Sequence, residues 1–178
     1  MLSELYFIAI IPPAELQAEV TAFKQYAAQH FGSSHALKSP PHITLIPPFR
    51  WPDDRLAQLN YALANHSIQA ERFSIDLQHF SSFPPSVIYV NISPNEHLNS
   101  FQNQLKKHLA TTLGLQNEST FGFHPHMTVA FKDLKESHFP DAWAYFSRQQ
   151  YQRSFQVSSY TLLSHTGQFW QIDQSFDL

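Results

Sequence analysis

The sequence predicts an α+β fold of two pseudo-symmetric lobes, with β-sheets facing a central cleft and helices outside. Three observations carry that prediction. Pro41-His42-Ile43-Thr44-Leu45 recurs as Pro125-His126-Met127-Thr128-Val129, the histidines 84 residues apart in a chain of 178. Each copy closes a similar run of strand, proline, helix, polar loop and Pro-His-x-Thr strand, the His following 30 residues after Pro12 and 32 after Pro94. The chain is 43 % apolar with 16 Phe and only 14 % charged residues, which marks a packed globular protein rather than a disordered one. A His-x-Thr-apolar string is expected by accident roughly 0.2 times in a chain of this composition. Two copies in matching contexts therefore point to a repeated functional strand.

Residues 5–11 (LYFIAII) read as a strand from their apolar, β-branched composition. Pro12-Pro13 ends it, and Pro13 suits the first turn of a helix. Residues 14–30 carry Leu16, Val20, Phe23 and Ala27 at helical spacing. A polar loop with Gly32-Ser33-Ser34 leads to the first His strand, residues 42–49, with prolines on both sides. Residues 53–65 read as a helix with Asp53 as its N-cap, and residues 73–80 as a strand. The order then repeats. Residues 87–92 (VIYVNI) form a strand closed by Ser93-Pro94. Residues 96–113 form a helix with Leu98, Phe101, Leu105 and Leu109 on one stripe and Gly114 as its stop. A polar stretch precedes the second His strand, residues 123–131. A helix over 136–149, a strand over 155–164 and a last strand over 169–176 complete the chain, the last after the turn His165-Thr166-Gly167. The halves, about 1–82 and 83–178, show no linker between them, and the chain is read as a single bilobal domain.

Composition excludes several chemistries. Four glycines leave no Gly-rich phosphate cradle, so a phosphate must be held by side chains or by helix and loop N–H groups. A net charge of −3 argues against a long non-specific nucleic-acid footprint, which needs a basic face. A short RNA end or a mononucleotide stays open. With no Cys there is no disulfide, thiolate nucleophile or Cys-based zinc site. The opening Met-Leu-Ser-Glu has no basic run, and the apolar segment behind it is too short for a membrane span. The expectation is a cytoplasmic protein with no membrane partner.

Residues two apart on a strand share a face. His42, Thr44 and Ile46 point one way and Ile43 and Leu45 the other; His126, Thr128 and Ala130 oppose Met127, Val129 and Phe131. Two such strands around one cleft would supply two imidazoles and two hydroxyls. Phosphoester cleavage needs a base for the attacking oxygen and an acid for the leaving one, and imidazoles titrate in the range for both. A Thr hydroxyl donates to a non-bridging oxygen as charge builds there. The scheme needs no metal or cofactor. His42, His126, Thr44 and Thr128 are thus the candidate catalytic residues, with either His as base. Lys38 and Lys132 are candidates to neutralise phosphate, and Phe49 and Trp51 to stack a base. His124 and His126 could instead be two metal ligands on one strand face, which leaves a metal-dependent hydrolase as a weaker alternative.

Three segments, YFIAIIPPAEL, KSPPHITLIPPF and FHPHMTVAF, make the chain resemble the 2H phosphoesterase superfamily, in its 2′-5′ RNA ligase-like or RNA 2′,3′-cyclic phosphodiesterase branch. The resemblance spans nearly the whole chain. It implies hydrolysis of a 2′,3′-cyclic phosphate at an RNA end or on a small nucleotide to a 2′-phosphate, and the reverse-type joining of RNA through a 2′-5′ bond. It implies His42 and His126 as the catalytic pair and Thr44 and Thr128 as phosphate binders. Many bacterial members carry an Arg directly after the second strand core; here Phe131 and then Lys132 stand there, which keeps a smaller substrate open. The alternative from another class is a catalytically silent module of the same fold that binds a nucleotide or RNA end.

Overall fold

The computed structural model of the protein describes residues 3–116 and 122–178, so part of the polar stretch before the second His strand lies outside the described residues. Among the described residues eight strands form two four-stranded antiparallel sheets. One sheet holds β1 (Ser3–Ile10), β2 (Ile43–Pro52), β7 (Ser159–His165) and β8 (Trp170–Asp177) in the order β2-β1-β7-β8. The other holds β3 (Phe73–Phe83), β4 (Val87–Ile92), β5 (His126–Ala130) and β6 (Gln152–Val157) in the order β5-β4-β3-β6. Among the described residues four helices join them: α1 (Ala14–Phe31), α2 (Leu56–Ile68), α3 (Glu96–Leu113) and α4 (Phe139–Phe146). The α+β architecture of two sheets with helices outside is the one expected from the sequence.

The two sequence halves are woven into each other. β3 follows the first His strand yet pairs with β4, and β7 follows the second His strand yet pairs with β1. Helices cross as well. Phe23 of α1 meets Phe80 of β3 edge-on at 5.0 Å, whereas Gln102 of α3 donates to the Leu45 carbonyl of β2 at 3.2 Å. The helices α1 and α3, each linking two strands of one sheet, thus contact a strand of the other.

Alternation along the strands sorts side chains between two environments. Ile8, Ile10, Ile43, Leu45, Val90, Met127 and Val129 face the helices and belong to one continuous core. Phe7, Ala9 and Leu163 form a separate small cluster on the opposite face, flanked by Ile11 and Trp170. That second face is the floor of the cleft. Both His strands sit at sheet edges, β2 beside β1 and β5 beside β4, and they contact each other. Edge strands expose unpaired backbone groups, and proline blunts such edges, which accounts for Pro41 and Pro125 ahead of them.

Element limits match the expectation for β4 and α3 at both ends, and Gly114 closes α3 with φ 69°. Three expectations need correction. Asp53 caps no helix: it opens a 3-10 turn, Asp53–Arg55, and α2 starts at Leu56. Trp51 Nε1–H donates to the Arg55 carbonyl at 2.9 Å and winds the chain tightly there. The helix expected over 136–149 is only α4, because Pro140 lies in its first turn, the one helical place that tolerates a missing N–H. The strand expected over 155–164 is two strands, β6 and β7, which part at Ser158 and enter different sheets. A continuous run of strand-forming residues concealed that switch.

Candidate active site

Between the sheets lies a cleft of about 360 Å³. It is lined by His42 and Thr44 from one sheet edge and His126 and Thr128 from the other. The four candidate catalytic residues are therefore brought together, and Lys38 joins them at the end of a 3-10 turn, His35–Lys38.

The two imidazoles are held alike. His42 Nδ1 lies 2.7 Å from the Pro40 carbonyl, and His126 Nδ1 lies 2.7 Å from the His124 carbonyl. A carbonyl only accepts, so each Nδ1 carries the proton and each neutral ring keeps its lone pair on Nε2. Each ring also rests on an aromatic from the adjacent strand: Phe7 of β1 at 4.8 Å from His42, and Tyr89 of β4 at 5.0 Å from His126. Phe83 meets His126 edge-on at 5.3 Å. The repeat is thus a repeat of ring orientation and support, not of sequence alone.

Burial pushes the His42 pKa down to about 4, opposed by the Pro40 hydrogen bond and reinforced by the nearby charges of Lys24 and His126. Burial lowers that of His126 as well, opposed by its bond to the His124 carbonyl. Both rings are therefore mostly neutral at pH 7, His42 more firmly. His124 lies outside the cleft lining, its Nε2 3.3 Å from the Tyr89 hydroxyl. Among the described residues no group of three His, Asp or Glu is placed to hold a metal ion.

The other candidates separate. Trp51 is 4 % exposed, with its indole N–H on the Arg55 carbonyl and the Arg55 guanidinium 4.8 Å over its ring. Phe49 packs toward Tyr6 at 6.3 Å. Neither lines the cleft; Pro48 does. Lys132 is also outside the lining and adopts φ 68°. Its backbone has a different task. The Asp133 N–H donates to the Phe131 carbonyl at 2.8 Å across Lys132, a tight turn that a non-glycine residue adopts at a cost of about 1–3 kcal/mol. The turn aims the Asp133 carboxylate at the opposite loop, where it accepts from the Ser33 hydroxyl at 3.0 Å, the Ser34 N–H at 3.0 Å and the His35 N–H at 2.8 Å. Burial raises its pKa, and these bonds outweigh that and hold it below the usual carboxylate range. The exit of the second His strand is thereby fastened to the wall that carries His35 and Lys38.

Sequence reasoning missed several lining residues. Phe7, which lines the cleft, and Tyr89, which supports His126 from outside the lining, were legible as matching aromatics in the strands beside the two His strands. His35, Phe83, Phe131 and Trp170 complete an aromatic wall that no spacing announces. Lys24 was visible too: it falls four residues after Val20 on the buried stripe of α1, where a charge is out of place.

Known proteins share this architecture. Two similar solved structures are TT0787 of Thermus thermophilus (TM-score 0.73, 16 % identity, 98 % of this chain and 97 % of that one) and LigT of E. coli complexed with 3′-AMP (TM-score 0.72, 18 % identity, 99 % of each). Both have the same fold as this chain. A protein of Geobacillus sp. strain WCH70, whose phosphoesterase name is provisional, is 27 % identical over 160 residues, covering 89 % of this chain and 86 % of its own. A family model described as the 2′-5′ RNA ligase superfamily matches residues 12–168. With that match over most of its length, the chain belongs to the 2′-5′ RNA ligase superfamily of 2H phosphoesterases.

Proposed function

We propose that this protein is a metal-independent phosphoesterase that opens a 2′,3′-cyclic phosphate, on a nucleotide or at an RNA end, to a 2′-phosphate. The observation that carries the reading is the pair of imidazoles in one cleft, each with Nδ1 hydrogen-bonded to a carbonyl at 2.7 Å. That arrangement frees two Nε2 atoms for acid and base work. In the reaction, one neutral imidazole takes a proton from water as its oxygen bonds to phosphorus. The P–O3′ bond breaks, and the other imidazole, protonated, gives its proton to the departing O3′. Thr44 and Thr128 donate to the non-bridging oxygens as charge builds on them. His42, the more firmly neutral ring, suits the base role, and His126 the acid role. Run toward synthesis with a ribose hydroxyl in place of water, the same groups would join RNA through a 2′-5′ bond.

A cleft of about 360 Å³ suits one nucleotide, and among the described residues its lining includes Lys24 and Lys38 but no carboxylate. Among similar folds, LigT of E. coli has been solved with 3′-AMP, phosphate and ATP, which supports a nucleotide-sized phosphate ligand. The absence of Cys fits a cytoplasmic setting. Among the described residues no helix is long and apolar enough to cross a membrane.

The test is to supply 2′,3′-cyclic AMP and a short oligoribonucleotide ending in a cyclic phosphate, both with EDTA present, and to identify the products. The expected product is the 2′-phosphate from both, with kcat/KM values within about tenfold, because only the terminal nucleotide enters the cleft. Tight binding of either substrate with no turnover would mean a silent binding module. Activity lost to EDTA would mean a metal-dependent hydrolase.

A further inference from the structure

Lys24 is 2 % exposed, a cation inside the apolar stripe of α1 between Val20 and Ala27. Its Nζ donates to the Ala36 and Ser39 carbonyls, each at 3.0 Å. Both acceptors belong to the loop that carries Lys38 toward His42, and both Ala36 and Ser39 line the cleft with Lys24. An ammonium has three N–H groups, so one is left after the two carbonyls. Among the described residues no carboxylate pairs with it; the ion pair found there joins Glu19 of α1 to Arg153 of β6 at the surface. A buried charge answered only by neutral acceptors is costly, and such a feature is kept where an incoming ligand completes it.

We infer that Lys24 is a phosphate-binding residue, whose remaining N–H holds an anionic oxygen of the bound phosphate on the His42 side of the cleft. The inference rests on the reading of the cleft as a phosphoester site, and it names the group that recognises the anion. Burial lowers the Lys24 pKa to about 8, so the group is still mainly a cation at pH 7 and needs a counter-charge. The anion supplies it. The charged groups that bear on His42 are Lys24 from α1 and His126 from β5. Neutralising Lys24 by phosphate removes a positive charge beside His42 and makes that ring a stronger base when substrate is present.

Lys24→Met keeps the length and apolar stem of the side chain and removes the charge. Binding of inorganic phosphate, followed by NMR, is expected to weaken at least tenfold, and the His42 imidazole is expected to titrate closer to 6.5 than in the wild type. A folded variant with unchanged phosphate affinity would overturn the inference and leave Lys24 as a loop support. Should the variant fail to fold, the wild type answers the question. The ¹³Cε signal of Lys24 is expected to titrate at higher pH when phosphate is added, and a titration that phosphate does not move would overturn the inference. Wild-type protein that binds no phosphate at all would overturn the reading of the cleft along with it.

Discussion

Replacing His42 with Ala is expected to slow turnover of a 2′,3′-cyclic nucleotide by 10²–10⁴-fold, about 3–5 kcal/mol of barrier, the usual worth of a positioned acid–base group. The fold should survive. His42 faces the cleft rather than the main core, and what it gives up is one bond to the Pro40 carbonyl and a ring contact with Phe7. The pH dependence carries the sharper test. In free enzyme the base must be neutral, which His42 is above about pH 4. The acid must be protonated, which the lowered pKa of His126 confines to pH values below 6.5. The wild-type kcat/KM should thus peak on the acid side of 6.5. His42→Ala should lose the acid limb along with most of the rate. A wild-type optimum above pH 7 would contradict the assignment of roles.

Acid is expected to destabilise the fold through a histidine remote from the cleft. His66 of α2 is 8 % exposed, packed against Phe101 of α3 and Tyr160 of β7 at ring separations of 5.2 and 5.8 Å. Burial lowers its pKa from 6.5 to about 4, and the neighbouring His108 adds to the effect. The folded state therefore binds the proton less tightly than the unfolded chain. The stabilisation is fully present above pH 6.5 and is lost as pH falls through the folded pKa near 4. A shift of that size corresponds to about 3 kcal/mol. Thermal melts should show Tm falling from pH 6.5 toward 4, and His66→Phe should lessen that fall, with His42, equally depressed by burial, keeping its own share. An equally steep decline in His66→Phe would mean that other groups govern acid unfolding.

Periodicity made most of the fold legible. β4 and α3 were readable to their ends because an alternating apolar run and a helical stripe are each closed by a strong signal, Ser93-Pro94 and Gly114. The repeated His-x-Thr strands were readable because His and Thr alternate with aliphatics; the alternation breaks beyond the Thr, where Ile46 and Ala130 join the main core and Phe131 lines the cleft. What stayed hidden depends on distance in space. Nothing in residues 152–165 says that the chain changes sheets at Ser158, since strand-forming residues run on both sides. Phe49 and Trp51 looked like stacking residues because they follow the first motif closely. The strand instead turns Trp51 inward under Arg55, while the aromatic wall of the cleft comes from Phe83 and Trp170. Asp133 reaches across a hundred positions of sequence to Ser33, a contact that only the meeting of the two His strands creates. Lys24 was within reach, because a lysine on a buried stripe violates the pattern around it.

In the proposed mechanism two histidines act on one phosphorus atom. Its most direct test is the initial rate of 2′,3′-cyclic AMP opening in EDTA, measured side by side for the wild type and His126→Ala. Metal-free turnover by the wild type is expected, with a rate at least 10²-fold lower in the variant. Comparable rates in the two proteins would contradict it.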